Sequence, residues 1–217
     1  MWDDRYATDE YRFGTQPNRF LIECVERLYP GIQAGSRAER VHVPALRVHV
    51  PARRVLSLGE GEGRNAVYLA GLGFDVTAVD QSGVGLAKAQ RLAALRGVSI
   101  TTVTADLNEY VIQPAAWDLV IDFFCHMPAP ERSLLHRRVI EGLKPGGAYI
   151  LEIFTPAQLE LTTGGPKTRD LVMTLEDARR ELTGLDLRVA RELTRQRDED
   201  DPSAPLLAVL QVLGIRP

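Results

Sequence analysis

The middle of the chain alternates short apolar runs with stretches whose apolar residues recur at helical spacing. Arg54–Leu58 reads as a strand, and Arg64–Leu72 as a helix closed by Gly73. Asp75–Asp80 is a second strand. Ser82 can then cap a helix whose apolar face holds Leu86, Ala89, Leu92 and Ala93 and which ends near Gly97. Val98–Ala105, rich in β-branched residues, is a third strand, and Trp117–Phe124 a fourth. Ser133–Leu143 follows as a helix, and Ala148–Phe154 is a fifth strand after the Pro145-Gly146-Gly147 turn. Strands that alternate with helices in this way predict an α/β chain with a largely parallel sheet covered by helices on both faces.

The tail changes pattern. Thr174 with Asp177 is a capping box that opens a helix to about Leu182. Two strand-like runs follow, Leu185–Leu193 and Leu206–Leu213, with only a charged stretch and two prolines between them. So short a connection allows antiparallel pairing, whereas a parallel pair needs a crossover of a dozen or more residues.

A length of 217 residues accommodates one domain, and a hydrophobic share of 45% beside a charged share of 25% is that of a globular chain. The net charge of -3 provides no basic field for nucleic acid, and the expectation is no nucleic-acid partner. Cys24 and Cys125 form no CxxC pair, so no zinc knuckle or redox dithiol is expected, and no metal. The acidic, aromatic start is unlike a signal peptide, and no run reaches the roughly 18 apolar residues of a membrane span. A cytoplasmic protein, monomer or homodimer, is expected. Val41–Arg47 is echoed by Val48–Arg54, and with two prolines and only His42 and His49 as possible ligands this repeat reads as a surface loop.

Chemistry concentrates after the first strand, in Gly59-Glu60-Gly61-Glu62-Gly63-Arg64-Asn65. Glycine serves where the backbone needs positive φ or a ligand must touch the main chain, and the helix that follows offers unpaired N–H groups. The spacing is GxGxG, and Arg64 stands where a GxGxxG dinucleotide fingerprint would hold its last glycine, three residues after Gly61. Glu60 and Glu62 suit a cation better than a pyrophosphate. The implied ligand is a positively charged nucleoside, a description that S-adenosylmethionine meets. Asp80, ending the second strand, can accept from both ribose hydroxyls, with Gln81 and Ser82 beside it. Asp106, followed by Leu107, ends the third strand and can accept from the adenine amine.

These motifs resemble those of class I S-adenosylmethionine-dependent methyltransferases, together with Val76–Ser82, Ala105–Leu107 and Leu143–Gly147. Within that class the chain is similar to small bacterial enzymes related to the tellurite-resistance methyltransferase, whose N-terminal segment resembles Trp2–Leu21. The resemblance implies a Rossmann-like, doubly wound, seven-stranded mixed sheet of order 3-2-1-4-5-7-6 with strand 7 antiparallel. It implies a single domain over 1–217, with a cover segment over 1–52 carrying an insertion at 41–54, and a core over 53–217. It also implies S-adenosylmethionine as cofactor, S-adenosylhomocysteine as product and a small-molecule methyl acceptor. The family's usual acid two residues before the first glycine is Ser57 here, and its frequent cysteine after that glycine is Glu60. A loop carboxylate is therefore expected to compensate near the methionine ammonium.

The acceptor side is expected at the ends of strands 4 and 5. His126 is the candidate base for a thiol or hydroxyl, with loop anchoring as its plain alternative. Phe124 is expected against the cofactor, and Cys125 as wall packing rather than a nucleophile. Tyr6, Tyr11 and Phe13, with Trp2, are candidate lid residues, or simply the packing of an N-terminal helix. No Asn-Pro-Pro-Tyr or Pro-Cys pair follows strand 4, so a small acceptor (thiol, chalcogen oxyanion or hydroxyl) is favoured over a base or an amide. The competing readings are a non-catalytic cofactor-binding or sensor protein and an NAD(P)-dependent oxidoreductase.

Overall fold

The computed structural model describes residues 2–32, 53–198, 201 and 203–217. The repeat at 41–54, with His42 and His49, lies outside the described residues except for Arg53 and Arg54. The strands are β1 (Arg54–Leu58), β2 (Asp75–Asp80), β3 (Thr101–Thr104), β4 (Trp117–Phe123), β5 (Leu143–Phe154), β6 (Asp186–Gln196) and β7 (Leu206–Ile215). They form a seven-stranded sheet of order β3-β2-β1-β4-β5-β7-β6. β7 runs antiparallel to both β5 and β6; the short connection allows the pairing with β6, and the family resemblance implies both. Contacts divide the chain into two compact units, Met1–Leu107 and Asn108–Pro217.

In the first unit β1, β2 and β3 pair in parallel, with Leu58 beside Val79 and Asp80 beside Thr104. Val55, Leu56, Leu58, Val76, Ala78 and Val79 are buried, which is why these strands read as apolar runs without alternation. The helices are α1 (Trp2–Tyr6), α2 (Arg19–Leu28), α3 (Arg64–Gly71) and α4 (Gly83–Leu95). Ser82 caps α4, accepting from the Gly85 N–H at 3.0 Å, and α4 buries Leu86, Ala89, Leu92 and Ala93 as its periodicity predicts. β3 is shorter than the expected Val98–Ala105. The Val98 N–H closes the end of α4 on the Ala93 carbonyl at 3.0 Å, with Gly97 at φ 68°. Val98 and Ile100 instead pack against Val67, Leu92 and Ala93.

The second unit holds β4 to β7 with α5 (Ala129–Gly142) and α6 (Leu175–Glu181). α5 begins at Ala129 rather than Ser133, because Pro130 sits in its first turn, where a missing N–H costs nothing. The Pro-Gly-Gly turn lies inside β5 as an irregularity, and pairing jumps from Trp117 with Leu143 to Leu119 with Ala148. α6 opens with the predicted capping box, Thr174 and Asp177 each accepting from the other's backbone N–H. Among the described residues no helix is long and apolar enough to cross a membrane.

Candidate functional site

Positive φ at Gly59 (60°), Gly61 (63°) and Gly63 (96°) turns the chain between β1 and α3. α3 has no side-chain cap on Gly63; its first turn is satisfied instead by Glu60, whose Oε1 accepts from the Ala66 and Asn65 N–H groups at 3.0 and 3.2 Å. Ser57 donates its hydroxyl to the other Glu60 oxygen. Burial pushes the Glu60 carboxyl up, while Ser57 and the Ala66 N–H hold it down. The carboxylate thus reaches back over Ser57 and tightens the loop from within.

Asp80 ties the loop to the end of β2. Its Oδ2 accepts from the Gly61 N–H and its Oδ1 from the Ser82 N–H, both at 2.8 Å. Burial raises its pKa, and those two N–H groups oppose the rise. Gln81 is exposed and Ser82 buried. The Ala105 N–H donates to the Asp80 carbonyl at 3.0 Å, so the exit of β3 is fastened beside Asp80. β3 ends at Thr104 rather than at Asp106; Asp106 is exposed on the segment beyond, and Leu107 is buried.

Two loop residues are used differently from the expectation. Glu62 meets a cation from the protein itself, pairing with Lys88 and accepting from the Arg12 N–H at 2.8 Å. Asn65 Oδ1 accepts from the Asn18 N–H at 2.9 Å, which turns its side chain to the N-terminal segment. Lys88, buried on α4, also donates to the Thr8 and Glu10 carbonyls at 2.9 and 2.6 Å. This ion pair pins the segment before α2 across the loop.

The lid aromatics separate. Tyr6 is buried against the loop: a Cβ on Gly61 would meet its hydroxyl at 2.7 Å, and one on Gly85 its ring at 2.9 Å. Trp2 stacks on it with centroids 5.5 Å apart, and Ser82 donates to Asp3. Tyr11 packs on Val67, Leu92 and Ala93 and donates to the Lys88 carbonyl at 3.1 Å, which anchors rather than covers. Phe13 is exposed, and its carbonyl accepts from Arg64.

In the second unit the turn leaving β4 is strained at Phe124, which adopts φ 59° although it is not glycine. The Phe124 N–H donates to the Glu152 carbonyl at 2.8 Å, and its ring packs on Phe154 at 4.8 Å. His126 stacks on Phe154 as well, centroids 5.3 Å apart and planes 8° from parallel. Burial lowers the His126 pKa to about 4, against the pull of the Leu171 carbonyl, so the ring is neutral near pH 7. Its Nδ1 is buried without a hydrogen-bond partner. Cys125 between them is half-buried. The Gly164–Pro166 stretch lies on Phe154, for a Cβ on Gly165 would meet that ring at 2.9 Å.

Two buried polar networks join residues that the sequence pattern does not connect. Arg132 Nε and Nη2 donate to Glu181 at 3.1 and 2.8 Å, and His136 Nδ1 lies 3.0 Å from the same carboxylate. On the sheet, Arg195 is bidentate to the buried Glu152 at 2.9 and 3.0 Å, and Gln211 joins Glu152 to Arg191. No group of three or more His, Cys, Asp or Glu that could hold a metal occurs among the described residues.

Residues 55–147 match the methyltransferase domain family. Over 115 residues the chain is 29% identical to a 2-heptyl-1-hydroxyquinolin-4(1H)-one methyltransferase of Mycobacteroides abscessus, covering 52% of this chain and 51% of that one. The chain therefore spans about half the length of that curated relative. Among solved structures, TehB from Haemophilus influenzae superposes with a TM-score of 0.67 at 16% identity, over 100% of this chain and 66% of that one. A structure concerned with conversion of a disulfide bond into a thioacetal group during echinomycin biosynthesis superposes with a TM-score of 0.68 at 18% identity, over 99% and 90% of the two chains. At such identity these two likenesses establish the fold.

Proposed function

We propose, on the premise that the chain belongs to the class I S-adenosylmethionine-dependent methyltransferases, that it transfers a methyl group to a small acceptor presenting a hydroxyl or thiol. The single observation that carries this reading is the glycine loop fastened to Asp80. Its fit to the cofactor rests on donor chemistry. A carboxylate has about four lone-pair sites, so Asp80 keeps acceptors for ribose hydroxyls after binding two backbone N–H groups. Exposed Asp106 is assigned to the adenine amine, with buried Leu107 as apolar wall and Gln81 and Ser82 flanking the ribose side. Gly59, Gly61, Gly63 and Asn65 give the cofactor backbone rather than side chain to lie on. Glu60 supplies the acid that Ser57 lacks, and acts on the loop's shape, since its oxygens already serve Ser57, Asn65 and Ala66. Tyr6 is the cover over this half.

Bound S-adenosylmethionine supplies a methyl group activated by its sulfonium. What the chain must add is alignment, exclusion of water and, for an acceptor bearing a proton, a base. His126 is assigned the role of base, because its ring is neutral and its buried Nδ1 has an uncommitted lone pair. Phe124 and Cys125 are its neighbours on the acceptor wall. An oxyanion needs no base, which favours a hydroxyl or thiol over a chalcogen oxyanion. The curated relative, named for a 1-hydroxyquinolinone, supports the hydroxyl.

The test is S-adenosylhomocysteine release across a panel of small hydroxyls, thiols and chalcogen oxyanions. Turnover with a hydroxyl or thiol is expected, reduced roughly 100-fold or more in His126→Ala, the usual span of general-base catalysis. Cofactor binding without product from any acceptor would leave the non-catalytic binding protein instead.

A further inference from the structure

We infer that Asp122 is a positioning residue of the acceptor side, holding the Phe124–His126 turn in the left-handed backbone shape that aims the His126 ring. The inference rests on the proposed role of His126 and adds a residue to it. Phe124 at φ 59° is in a region that side chains other than those of Gly, Asn and Asp rarely occupy, and such strain persists only where the surroundings hold it. One hold is the Phe124 N–H bond to the Glu152 carbonyl. The other comes from Asp122, on β4 just before the turn. Asp122 is 2% exposed; its Oδ2 accepts from the Tyr149 hydroxyl at 3.2 Å, and the Cys125 N–H bonds to the same carboxylate. One side chain thus grips the backbone beyond the strained residue while fixed to the neighbouring strand.

Behind Asp122 lies the Arg132–Glu181–His136 network, in which His136 and Arg132 favour its ionised form against burial. Yet Asp122 Oδ1 and His136 Nε2 are both buried without a hydrogen-bond partner. A buried ionic cluster left partly unsatisfied adds little to stability over an apolar packing of the same shape. Fold stability therefore does not account for a carboxylate at 122, whereas the turn it grips does.

The experiment is a double-mutant cycle read by NMR titration of the His126 imidazole from pH 3.5 to 8, in wild type, Asp122→Asn, Phe124→Gly and the pair. Glycine adopts the turn's φ unaided, so it should make Asp122 dispensable. Asp122→Asn is expected to raise the His126 midpoint by about half a unit or more toward an ordinary histidine, but by less than about a fifth of a unit in the Phe124→Gly background. Equal shifts in both backgrounds, or none in either, would overturn the inference, for Asp122 would then act through charge alone or not at all. Where Asp122→Asn fails to fold, Tyr149→Phe goes through the same cycle with the same two outcomes. S-adenosylhomocysteine affinity, measured by calorimetry, is expected to stay within about twofold in Asp122→Asn. A larger loss in that variant alone also counts against the inference. A wild type that binds no S-adenosylhomocysteine counts against the methyltransferase reading, and leaves the cycle to be judged by its own midpoints.

Discussion

A methyl group added at Gly63 would lie 2.6 Å from both the Cα and the Cβ of Ala89, whereas one added at Gly61 would meet the Tyr6 hydroxyl at 2.7 Å. The first obstacle is a helix backbone and the second is the end of a side chain. Both positions have positive φ, so both substitutions strain the turn. Gly63→Ala should therefore cost on the order of 2 kcal/mol or more, and adding Tyr6→Phe should not relieve it. Gly61→Ala should recover part of its loss when combined with Tyr6→Phe. Urea unfolding of the four variants checks both, and equal losses at 61 and 63 with no response to Tyr6→Phe would contradict this packing. The three glycines were legible because no other residue type recurs so at the exit of a strand. Glu62 was not legible in the same way: spacing places its carboxylate in the loop, while its partner, Lys88, is brought to it only by the fold. Helical spacing held the clue, since Lys88 shares a stripe with Gly85 and Leu92, where a charge must be buried and paired.

At the scale of elements, β1, β2, α4 and α6 were readable because periodicity, caps and glycine stops agree there. β3 is shorter and α5 begins earlier than local pattern predicts, since β-branched residues after Gly97 and a proline in a first turn pull local propensity away from tertiary use. The end of β4 and the turn after it carry two groups, Asp122 and His126, that titrate in opposite senses. His126, lowered from 6.5 to about 4, takes up a proton first in the unfolded chain, so its contribution is present above pH 6.5 and is lost as pH falls toward 4. Asp122, raised from 3.8 to about 6, holds its proton longer in the folded chain, so its contribution is present below pH 3.8 and is lost as pH rises through 6. Relative to wild type, His126→Gln should gain up to roughly 3 kcal/mol as pH is lowered from 7 to 4. Asp122→Asn should gain a similar amount, roughly 3 kcal/mol, as pH is raised over the same window. Urea unfolding across that range measures both trends, and parallel trends would refute the assignment.

At the scale of the molecule, the strand order follows from the family resemblance and the antiparallel β7 from the resemblance and the short connection before it, and both are observed. The two buried networks, Arg132–Glu181–His136 and Glu152–Gln211–Arg191 with Arg195, were not legible. Glu181 lies 45 or more residues from Arg132 and His136, and Glu152 lies about 40 or more from its partners, so each alone reads as a surface polar group. The same limit applies to the proposed acceptor side, where the sequence names His126 and Phe124 but not their environment. The proposed function requires that a cationic nucleoside cofactor sit on the Gly59–Gly63 loop against Asp80. Calorimetric titration of S-adenosylhomocysteine into wild type and Asp80→Ala tests this most directly. Saturable binding is predicted in wild type, weakened by about 1.5–3 kcal/mol in the variant, the range for hydrogen bonds to a charged group. An unchanged dissociation constant, or binding of a nicotinamide dinucleotide in place of S-adenosylhomocysteine, would contradict it.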